Sequence, residues 1–336
     1  RFKCQGIRQV TPALSSPTTQ YKYVFGPVYS RRLGRSLGVN HVPYKTCTYS
    51  CIYCQLGRTT NFTTTRRSFY EPSEVVNEVY EFISRSGDAV DYVTLVPNGE
   101  PLLDKNVGLI MRGIRGFSRK PIAVLTNASL LFLEDARRDL LEADFVSVKV
   151  DALRENTWRG VNRPCSSLSL QRVLEGIAEF ARIFRGKLVT ETMLVDGYNT
   201  AVEELELIAD FVKTLDPWKA YISIPIRPPA EPYATSPRPE VLVEAYLVFS
   251  GKLGESRVEL LNLPEPPEFR VHGDPATWLL NLVSVHPLRL EYALKALKDA
   301  VEKPEDLLHR LELEGKIHVV VFEGKEFIVR AYGQVL

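Results

Sequence analysis

Residues 47 to 54 read Cys47-Thr48-Tyr49-Ser50-Cys51-Ile52-Tyr53-Cys54, so three of the chain's five cysteines follow one another in the spacing C-x3-C-x2-C. Iron–sulfur clusters are held by cysteine thiolates, and three thiolates this close in sequence can wrap one face of such a cluster. The fourth iron is then left without a protein ligand, and an open metal position is what catalysis needs. The spacing therefore predicts an iron–sulfur cluster with one accessible iron.

A structural zinc site is the main alternative for these cysteines. Such sites usually combine two C-x2-C pairs or add histidine ligands. The nearest histidine here, His41, precedes the cysteines, and no second cysteine pair follows them. The pattern favours a cluster, and zinc stays open as the alternative.

The cysteines follow the first of six predicted β-strands. Short β-rich runs alternate with longer helical patterns from about residue 36 to residue 226, which indicates βα units around a parallel sheet. Six units fit a partial (β/α)6 TIM-like barrel better than a closed eight-stranded one, and such folds place chemistry after the C-terminal ends of the strands. The predicted strands are 37–42, 92–96, 122–126, 145–150, 188–194 and 221–226, and the predicted helices are 71–86, 105–115, 131–141, 168–183 and 201–215.

Proline-rich stretches mark a boundary after this region, because they form stiff connectors. Beyond them the pattern predicts three helices (278–283, 289–298 and 304–314) and a hairpin of strands 316–322 and 326–332, which indicates a winged helix. The predicted organisation is an N-terminal extension (1–20), a partial barrel (21–235), a proline-rich connector with a helix (236–268) and a winged-helix-like domain (269–336).

The cysteine spacing, with Tyr53 just before the last cysteine and six βα units around it, resembles the radical SAM superfamily over about residues 20–235. The resemblance implies that Cys47, Cys51 and Cys54 hold a four-iron four-sulfur cluster and that S-adenosylmethionine (SAM) chelates the unique iron. Electron transfer from the cluster would cleave SAM to methionine and a 5′-deoxyadenosyl radical, which abstracts hydrogen from a substrate. Residues 25–57 are also similar to a branch distantly related to wyosine-type transfer-RNA-modifying enzymes.

The same resemblance assigns cofactor-binding candidates at two strand ends. Asn98-Gly99-Glu100-Pro101 resembles the family's Gly-Gly-Glu-Pro element, which holds the methionine ammonium, although Asn98 replaces the first glycine. Gly99 would let the backbone approach a ligand closely, and the Glu100 carboxylate would accept a hydrogen bond from the ammonium. Tyr53 in the cysteine loop and Asn127 at the end of the third strand are further candidates.

Later strands supply the remaining candidates. Asp151, at the end of the fourth strand, would bind the ribose hydroxyls, with Ser147 as a weaker choice. Glu191 and Met193 share one face of the fifth strand, and either would approach the adenosyl group. Arg163 lies in a loop, where its guanidinium would grip the methionine carboxylate or a substrate anion, or simply face solvent.

A glycine- and arginine-rich segment precedes the cysteines. Residues 26–38 contain Arg31, Arg32 and Arg35 among three glycines. Guanidinium groups on glycine-permitted turns suit the recognition of phosphate or carboxylate, although the segment lacks the Lys-Ser/Thr ending of a Walker loop.

Composition narrows the class of protein. The chain has 336 residues, 45% of them hydrophobic and 25% charged, as in ordinary globular proteins. Its 42 Lys and Arg against 41 Asp and Glu leave a net charge of +1, which removes the simple electrostatic case for nucleic acid or an anionic membrane. The sequence has no apolar run of about 20 residues and no apolar signal stretch, so we expect no membrane partner and a cytoplasmic location.

Two hypotheses follow. The first is a radical SAM enzyme that receives electrons from a reductase, flavodoxin or ferredoxin and acts on an undefined substrate, with a transfer-RNA base ahead of a peptide or protein. The second is a non-catalytic iron–sulfur redox sensor whose winged helix binds DNA. A sensor would need the cysteines but not Glu100, and its recognition helix should be basic, whereas predicted helix 304–314 is acidic.

Overall fold

The computed structural model describes residues 21–263 and 266–331, so the N-terminal extension predicted for residues 1–20 lies outside the described residues. The strands in chain order are β1 (Val24–Ser30), β2 (Gly34–Val39), β3 (Thr46–Cys47), β4 (Asn61–Phe62), β5 (Tyr92–Leu95), β6 (Ile122–Thr126), β7 (Phe145–Lys149), β8 (Lys187–Met193), β9 (Lys219–Ser223), β10 (Val258–Leu261), β11 (Leu288–Arg289), β12 (Ile317–Phe322) and β13 (Lys325–Arg330). The α-helices are α1 (Pro72–Ser86), α2 (Val107–Arg115), α3 (Glu134–Leu140), α4 (Glu155–Val161), α5 (Leu170–Ile183), α6 (Val202–Thr214), α7 (Pro239–Leu253), α8 (Pro275–Val285), α9 (Leu290–Leu297) and α10 (Pro304–Leu313).

One eight-stranded sheet organises the first part of the chain. Its strand order is β1-β2-β5-β6-β7-β8-β9-β10, and it curls into a half-barrel. All neighbours from β2 onward pair in parallel, whereas β1 and β2 form an antiparallel hairpin at one edge. The predicted partial TIM-like barrel is confirmed.

Helices cover the outer face of this sheet because each presents an apolar stripe. In α1, Val75, Val79 and Phe82 are buried at helical spacing, and a proline occupies the first turn, where its missing N–H costs nothing. Together with outward-facing strand residues they form the main core of the protein.

The inner face of the half-barrel changes character along each strand. Near the N-terminal ends, side chains such as Ala123, Phe145 and Val189 form a small apolar layer that Leu33 from the β1–β2 turn completes. Because side chains on one face recur every second residue, Ser147 and Lys149 follow Phe145 on this face. The inside is therefore apolar at one end and polar toward the other.

The parallel sheet has one strand more than the six predicted. β10 pairs in parallel with β9, in register from Val258 opposite Ala220 to Leu261 opposite Ser223. Strand β10 lies within the segment predicted as a connector with a helix. It is short and has prolines nearby, so the sequence shows no clear strand pattern there. The helix predicted there is α7, and the sheet continues past residue 235.

Two other predictions differ in detail. The first predicted strand, 37–42, is β2 at 34–39, because Gly34 and Arg35 pair with β1 although neither residue type favours a strand. The short helix α4 was not predicted; its seven residues are too few to show a clear helical period.

The C-terminal elements follow the predicted order. Helices α8, α9 and α10 accompany a three-stranded sheet of order β11-β13-β12, in which β11 is the added element. The β12–β13 hairpin turns through Glu323 and Gly324, both at positive φ as such two-residue turns require. Whether these elements constitute a winged-helix domain stays a prediction, and residue 332, the predicted end of the last strand, lies outside the described residues.

The C-terminal helices pack against the half-barrel edge. Phe25 of β1 belongs to the same core as Trp278 and Leu282 of α8. In addition, the Asn281 side-chain amide donates a hydrogen bond to the Tyr21 carbonyl at 2.5 Å. Helix α8 therefore closes the sheet on the β1 side.

None of the helices in the described residues combines the length and the apolarity needed to cross a lipid bilayer.

Candidate functional site

A cavity of about 420 Å³ lies inside the half-barrel, which we call the lumen cavity. Its size is in the range of about 300–1,000 Å³ typical of small-molecule sites. The loops that follow β2, β5, β6 and β9 contribute to its wall, as do the β1–β2 turn and the end of α8. Of the residues predicted to hold the cluster or SAM, those in the wall are Cys47, Cys51, Tyr53, Cys54, Gly99, Glu100, Asn127, Ser147, Glu191 and Met193.

The cysteine loop, residues 47–54, is fixed by backbone hydrogen bonds to the end of α4. The Ile52 N–H donates to the Val161 carbonyl at 2.9 Å, and the Ser50 N–H donates to the Asn162 carbonyl at 3.1 Å. Ile52 is fully buried, so the loop is also anchored by packing. Helix α4, which the sequence did not predict, thus fixes the position of the cysteine loop.

Each of the three cysteine sulfurs accepts a hydrogen bond from a different side chain. Asn127 Nδ2 lies 3.5 Å from Cys47 Sγ, and Asn162 Nδ2 lies 3.5 Å from Cys51 Sγ. The third donor is the ammonium of Lys45, 3.2 Å from Cys54 Sγ. Lys45 is buried, at 3% exposure. Sequence reasoning missed Lys45 and Asn162, because nothing in their spacing marks them.

These cysteines suit a metal cluster. The structure shows them as free thiols, and burial raises the pKa of Cys47 to about 11 and that of Cys51 to about 12. Metal binding requires thiolates and releases their protons. Three soft ligands that open onto one cavity, each with a hydrogen-bond donor at its sulfur, fit an iron–sulfur cluster. Within residues 21–263 and 266–331, no three His, Cys, Asp or Glu side chains converge closely enough to hold a single ion.

Gly99 packs directly on the start of the cysteine loop. A Cβ at this position would lie 1.9 Å from the Thr46 carbonyl oxygen, so only glycine fits. The contact is reinforced on both sides, because the Lys45 N–H donates to the Asn98 carbonyl at 2.8 Å and the Glu100 N–H donates to the Thr46 carbonyl at 3.1 Å. The end of β5 and the cysteine loop are therefore one rigid unit.

Glu100 is a buried carboxyl group in the cavity wall. Its Oε1 accepts hydrogen bonds from the Leu102 N–H at 3.0 Å and the Thr126 hydroxyl at 2.5 Å, and its Oε2 accepts one from the Asn127 N–H at 2.8 Å. Burial raises the pKa of Glu100 to about 7, although these donors oppose the shift. The group is positioned to accept a hydrogen bond from a cation in the cavity.

Four predicted residues lie outside the cavity wall. Asn98 and Pro101 are buried beside Gly99 and Glu100, where they shape the strand end. The carboxylate of Asp151 is used within the protein, since it accepts hydrogen bonds from the Tyr53 hydroxyl, from Asn162 Nδ2 at 2.7 Å and from the Met193 N–H at 2.8 Å.

The fourth, Arg163, belongs to a separate ion-pair group at the surface. Its Nη1 lies 2.5 Å from the Glu231 carboxylate, and its Nη2 donates to the Tyr233 hydroxyl. Arg58 pairs with the same carboxylate at 2.8 Å. The Glu231 N–H also donates a hydrogen bond to the Ile52 carbonyl of the cysteine loop at 2.9 Å. Together these contacts hold the segment around Glu231 against the cysteine loop.

Three charged side chains meet across the inside of the half-barrel: Arg32 from the β1–β2 turn, Lys149 from β7 and Glu191 from β8. We call them the charged trio. Arg32 Nη1 pairs with Glu191 Oε2, and Lys149 Nζ lies 3.1 Å from Glu191 Oε1. Burial alone would raise the pKa of Glu191, but Arg32 and Lys149 hold it well below its usual range. The sequence predicted Glu191 as a site residue but did not predict that Arg32 and Lys149 pair with it.

The C-terminal part of the chain reaches the same cavity. Gln55 Nε2 donates to the Val285 carbonyl at the end of α8 at 2.8 Å, and Arg227 Nη1 donates to Gln55 Oε1 at 3.1 Å. Val285 and His286 line the cavity wall. The residue after the last cysteine thus links the cysteine loop to α8.

Comparison with known proteins gives consistent results. The sequence profile of the Radical SAM superfamily matches residues 41–212. The chain is 40% identical to a UPF0026 protein of Methanocaldococcus jannaschii over 91% of this chain and 95% of that one. It is 35% identical to a UPF0026 protein of Synechocystis over 62% of this chain and 78% of that one.

A solved structure supports the fold. A radical SAM methyltransferase from Sphaerobacter thermophilus superposes with a TM-score of 0.50 at 16% identity, over 68% of this chain and 66% of that one. At that identity the agreement concerns the fold alone. The predicted cofactors, a four-iron four-sulfur cluster and SAM, are those of the matching superfamily. The extent of the profile match and the M. jannaschii relative together show that this chain belongs to the radical SAM superfamily, as its cysteine spacing predicts.

Proposed function

We propose that this protein reductively cleaves SAM at a four-iron four-sulfur cluster and uses the resulting radical to abstract hydrogen from a substrate. The observation that carries the proposal is that Glu100 and the three thiols of the cysteine loop line one cavity. A cluster site alone needs only the thiols. A carboxylate fixed beside them supplies an acceptor for the ammonium group of SAM.

The cysteine loop would hold the cluster through Cys47, Cys51 and Cys54. The chemistry that the cluster supplies when bound is one-electron reduction of the SAM sulfonium, which yields methionine and a 5′-deoxyadenosyl radical. Asn127, Asn162 and Lys45 would donate hydrogen bonds to the cysteine sulfurs, and such contacts tune the reduction potential of a cluster.

Other wall residues would orient SAM. Glu100 accepts from the ammonium, while Gly99 keeps the backbone close to the cysteine loop. Ser147 and Met193 line the cavity and are the better-placed partners for the adenosyl part, together with Glu191. Asp151 supports this region indirectly, because its carboxylate fixes Tyr53 and the Met193 backbone.

For the substrate, we propose a transfer-RNA base ahead of a peptide or protein side chain, in keeping with the resemblance to a wyosine-related branch that the sequence of residues 25–57 suggests. Basic side chains in the cavity wall, Arg31, Arg32, Lys149 and Arg227, support a substrate that carries negative charge. Electrons would come from a cytoplasmic flavodoxin, ferredoxin or reductase.

The redox-sensor hypothesis has less support. A sensor has no use for a carboxylate beside the thiols, yet Glu100 is held there by three hydrogen bonds. The acidic residues Glu305 and Asp306 in the first turn of α10 also disfavour binding to DNA phosphates.

Detection of 5′-deoxyadenosine tests the proposal. The protein is reconstituted anaerobically with iron and sulfide, reduced with dithionite and given SAM, with and without bulk transfer RNA. We expect 5′-deoxyadenosine by chromatography, and more of it when the substrate is present. A cluster shown to be reduced by electron paramagnetic resonance that yields no 5′-deoxyadenosine would overturn the proposal.

A further inference from the structure

We propose that Arg32 forms a binding subsite for an anionic group of the substrate, a phosphate or a carboxylate, inside the half-barrel. The inference rests on the proposed function, because it names the chemical class of the substrate for the same cavity. It is carried by the charged trio and by the unused donors of Arg32.

Within the trio two cations share one carboxylate, and the negative charge of Asp151 acts on Lys149 as well. Arg32 and Lys149 share the single carboxylate of Glu191, whose oxygens also accept a hydrogen bond from the Ser223 hydroxyl at 3.0 Å. The three side chains are only 13–20% exposed. Arg32 therefore has no carboxylate partner of its own among the three, and a partly buried guanidinium is stabilised by a further anion.

Besides Glu191, no carboxylate in the described part of the cavity wall pairs with Arg32. Among the described residues that line the cavity, the carboxylates are Glu100 and Glu191. Glu100 lies at the cysteine end, where its oxygens already accept three hydrogen bonds. At the opposite end, an anion from a ligand would give Arg32 a partner that it does not share with Lys149.

Arg32 has the donors to bind such an anion. Its Nη1 is occupied by Glu191 and, at 3.5 Å, by the Ser147 hydroxyl, whereas its Nε and Nη2 meet no acceptor in the part of the chain that the structure describes. A guanidinium presents its donors in a planar fork that matches a phosphate or a carboxylate.

The position of Arg32 is fixed from several sides. Its backbone N–H donates to the Ser30 hydroxyl at 3.3 Å, and its guanidinium lies 5.8 Å from the centre of the Tyr221 ring. The neighbouring Leu33 is buried in the apolar layer of the half-barrel. The fork is therefore held in place before a ligand arrives, which lowers the entropy cost of binding.

Lys149 is the less suitable member of the trio for this role. Its ammonium lies 4.9 Å from the centre of the Tyr53 ring, which places it beside the cysteine loop. Arg32 instead enters from the β1–β2 turn, next to the apolar layer. An anion bound by Arg32 would hold the substrate from the side opposite the cluster.

The test measures anion binding on the reconstituted protein saturated with SAM. Inorganic phosphate and acetate are the two probes, each compared with chloride at equal ionic strength, and a dissociation constant comes from the rise of the unfolding temperature with anion concentration. We expect phosphate or acetate to stabilise the wild-type protein, and the stronger probe identifies the anion type.

Two variants and one control make the result specific. Arg32→Gln should weaken binding of the stronger probe by about tenfold, the loss of one charge-assisted contact. Arg32→Lys keeps the charge beside Glu191 but lacks the fork, so it should fold normally and still bind several-fold more weakly. Arg35→Gln, on the same hairpin but 47% exposed and paired with Asp91, should bind like wild type.

Three results would overturn the subsite: neither probe stabilises the wild-type protein, Arg32→Gln binds the probes unchanged, or Arg32→Gln loses SAM affinity by calorimetry to the same extent. The last would assign Arg32 to the SAM carboxylate instead. Arg32-dependent anion binding without any 5′-deoxyadenosine would refute the proposed reaction and leave the subsite standing.

Discussion

The cysteine end of the lumen cavity is held by main-chain geometry, whereas the opposite end is held by charge. At the cysteine end, backbone hydrogen bonds from the loop to the end of α4 and the close packing of Gly99 set the positions of the thiols. At the other end, Arg32, Lys149 and Glu191 hold one another across two strands and a turn. The first arrangement suits a cofactor of fixed shape, and the second suits a ligand recognised by its charge.

The largest effect should come from a thiol. Cys51→Ala removes one of three cluster ligands, so we expect reconstitution to leave no intact four-iron cluster, with iron and sulfide content and visible absorption reduced accordingly. Cys165→Ala is the matched control, because Cys165 is free but does not line the cavity. A full iron complement in Cys51→Ala would remove Cys51 from the ligand set.

The next effect concerns the charged trio. Glu191→Ala leaves two neighbouring cations without their carboxylate, and removing one partner of a buried ion pair costs about 3–5 kcal/mol. We expect a loss of this order in the free energy of unfolding, measured by urea denaturation. Glu259→Ala, on β10 with a half-exposed side chain, is the control and should stay within about 0.5 kcal/mol of wild type. An equally small loss for Glu191→Ala would show that charge does not hold this end.

Glu100 should affect ligand binding and pH dependence. Glu100→Gln keeps the shape but removes the charge that accepts the ammonium, so SAM affinity by calorimetry should fall about tenfold with the cluster retained. Glu78→Gln, a carboxyl group remote from the cavity, should leave the affinity unchanged.

The pKa of Glu100 sets the sign of its pH effect. Because the folded-state pKa of about 7 exceeds the ordinary 4.5, the folded protein binds more protons than the unfolded chain between these values. The contribution of Glu100 to stability is therefore present below pH 4.5 and is lost as the pH rises to about 7, by up to about 3 kcal/mol. Unfolding of Glu100→Gln should lack this contribution, and an unchanged pH profile would contradict the assignment.

The smallest effect tests Lys45, whose ammonium contacts a cysteine sulfur. Lys45→Met removes the ammonium at Cys54 Sγ, which should lower the cluster reduction potential by on the order of 50 mV, since hydrogen bonds and charge at the sulfurs set that potential. Redox titration followed by electron paramagnetic resonance measures the shift. The exposed Lys105→Met is the control, and equal potentials in both variants would show that the cysteine end is insensitive to this charge.

The sequence predicted one end of the cavity better than the other. Three cysteines, Gly99 and Glu100 lie in two short motifs, and the parallel strand order brings the ends of those motifs together. The trio joins Arg32 to residues 117 and 159 positions further along the chain, so its pairing depends on how the hairpin folds against the sheet. Local patterns carry no information on such contacts.

The support of the cysteine loop was also beyond local patterns. Asn162 follows a seven-residue helix too short to recognise, and Lys45 reaches Cys54 only because the loop doubles back on itself. Asp151 has the residue type and the strand-end position of a ribose ligand, yet the fold uses its carboxylate to hold Tyr53 and Asn162. Strand-end position narrows the candidates without deciding which side chains turn toward the cavity.

The hydrogen bond from Gln55 to the Val285 carbonyl has a thermodynamic consequence. It joins the cysteine loop to the end of α8. Cofactor binding at the loop and the packing of α8 against the half-barrel therefore stabilise each other by the same free energy. Loading the site should then slow proteolytic cleavage within residues 266–331. Resistance of the C-terminal helices to protease becomes a readout of occupancy at the cysteine loop.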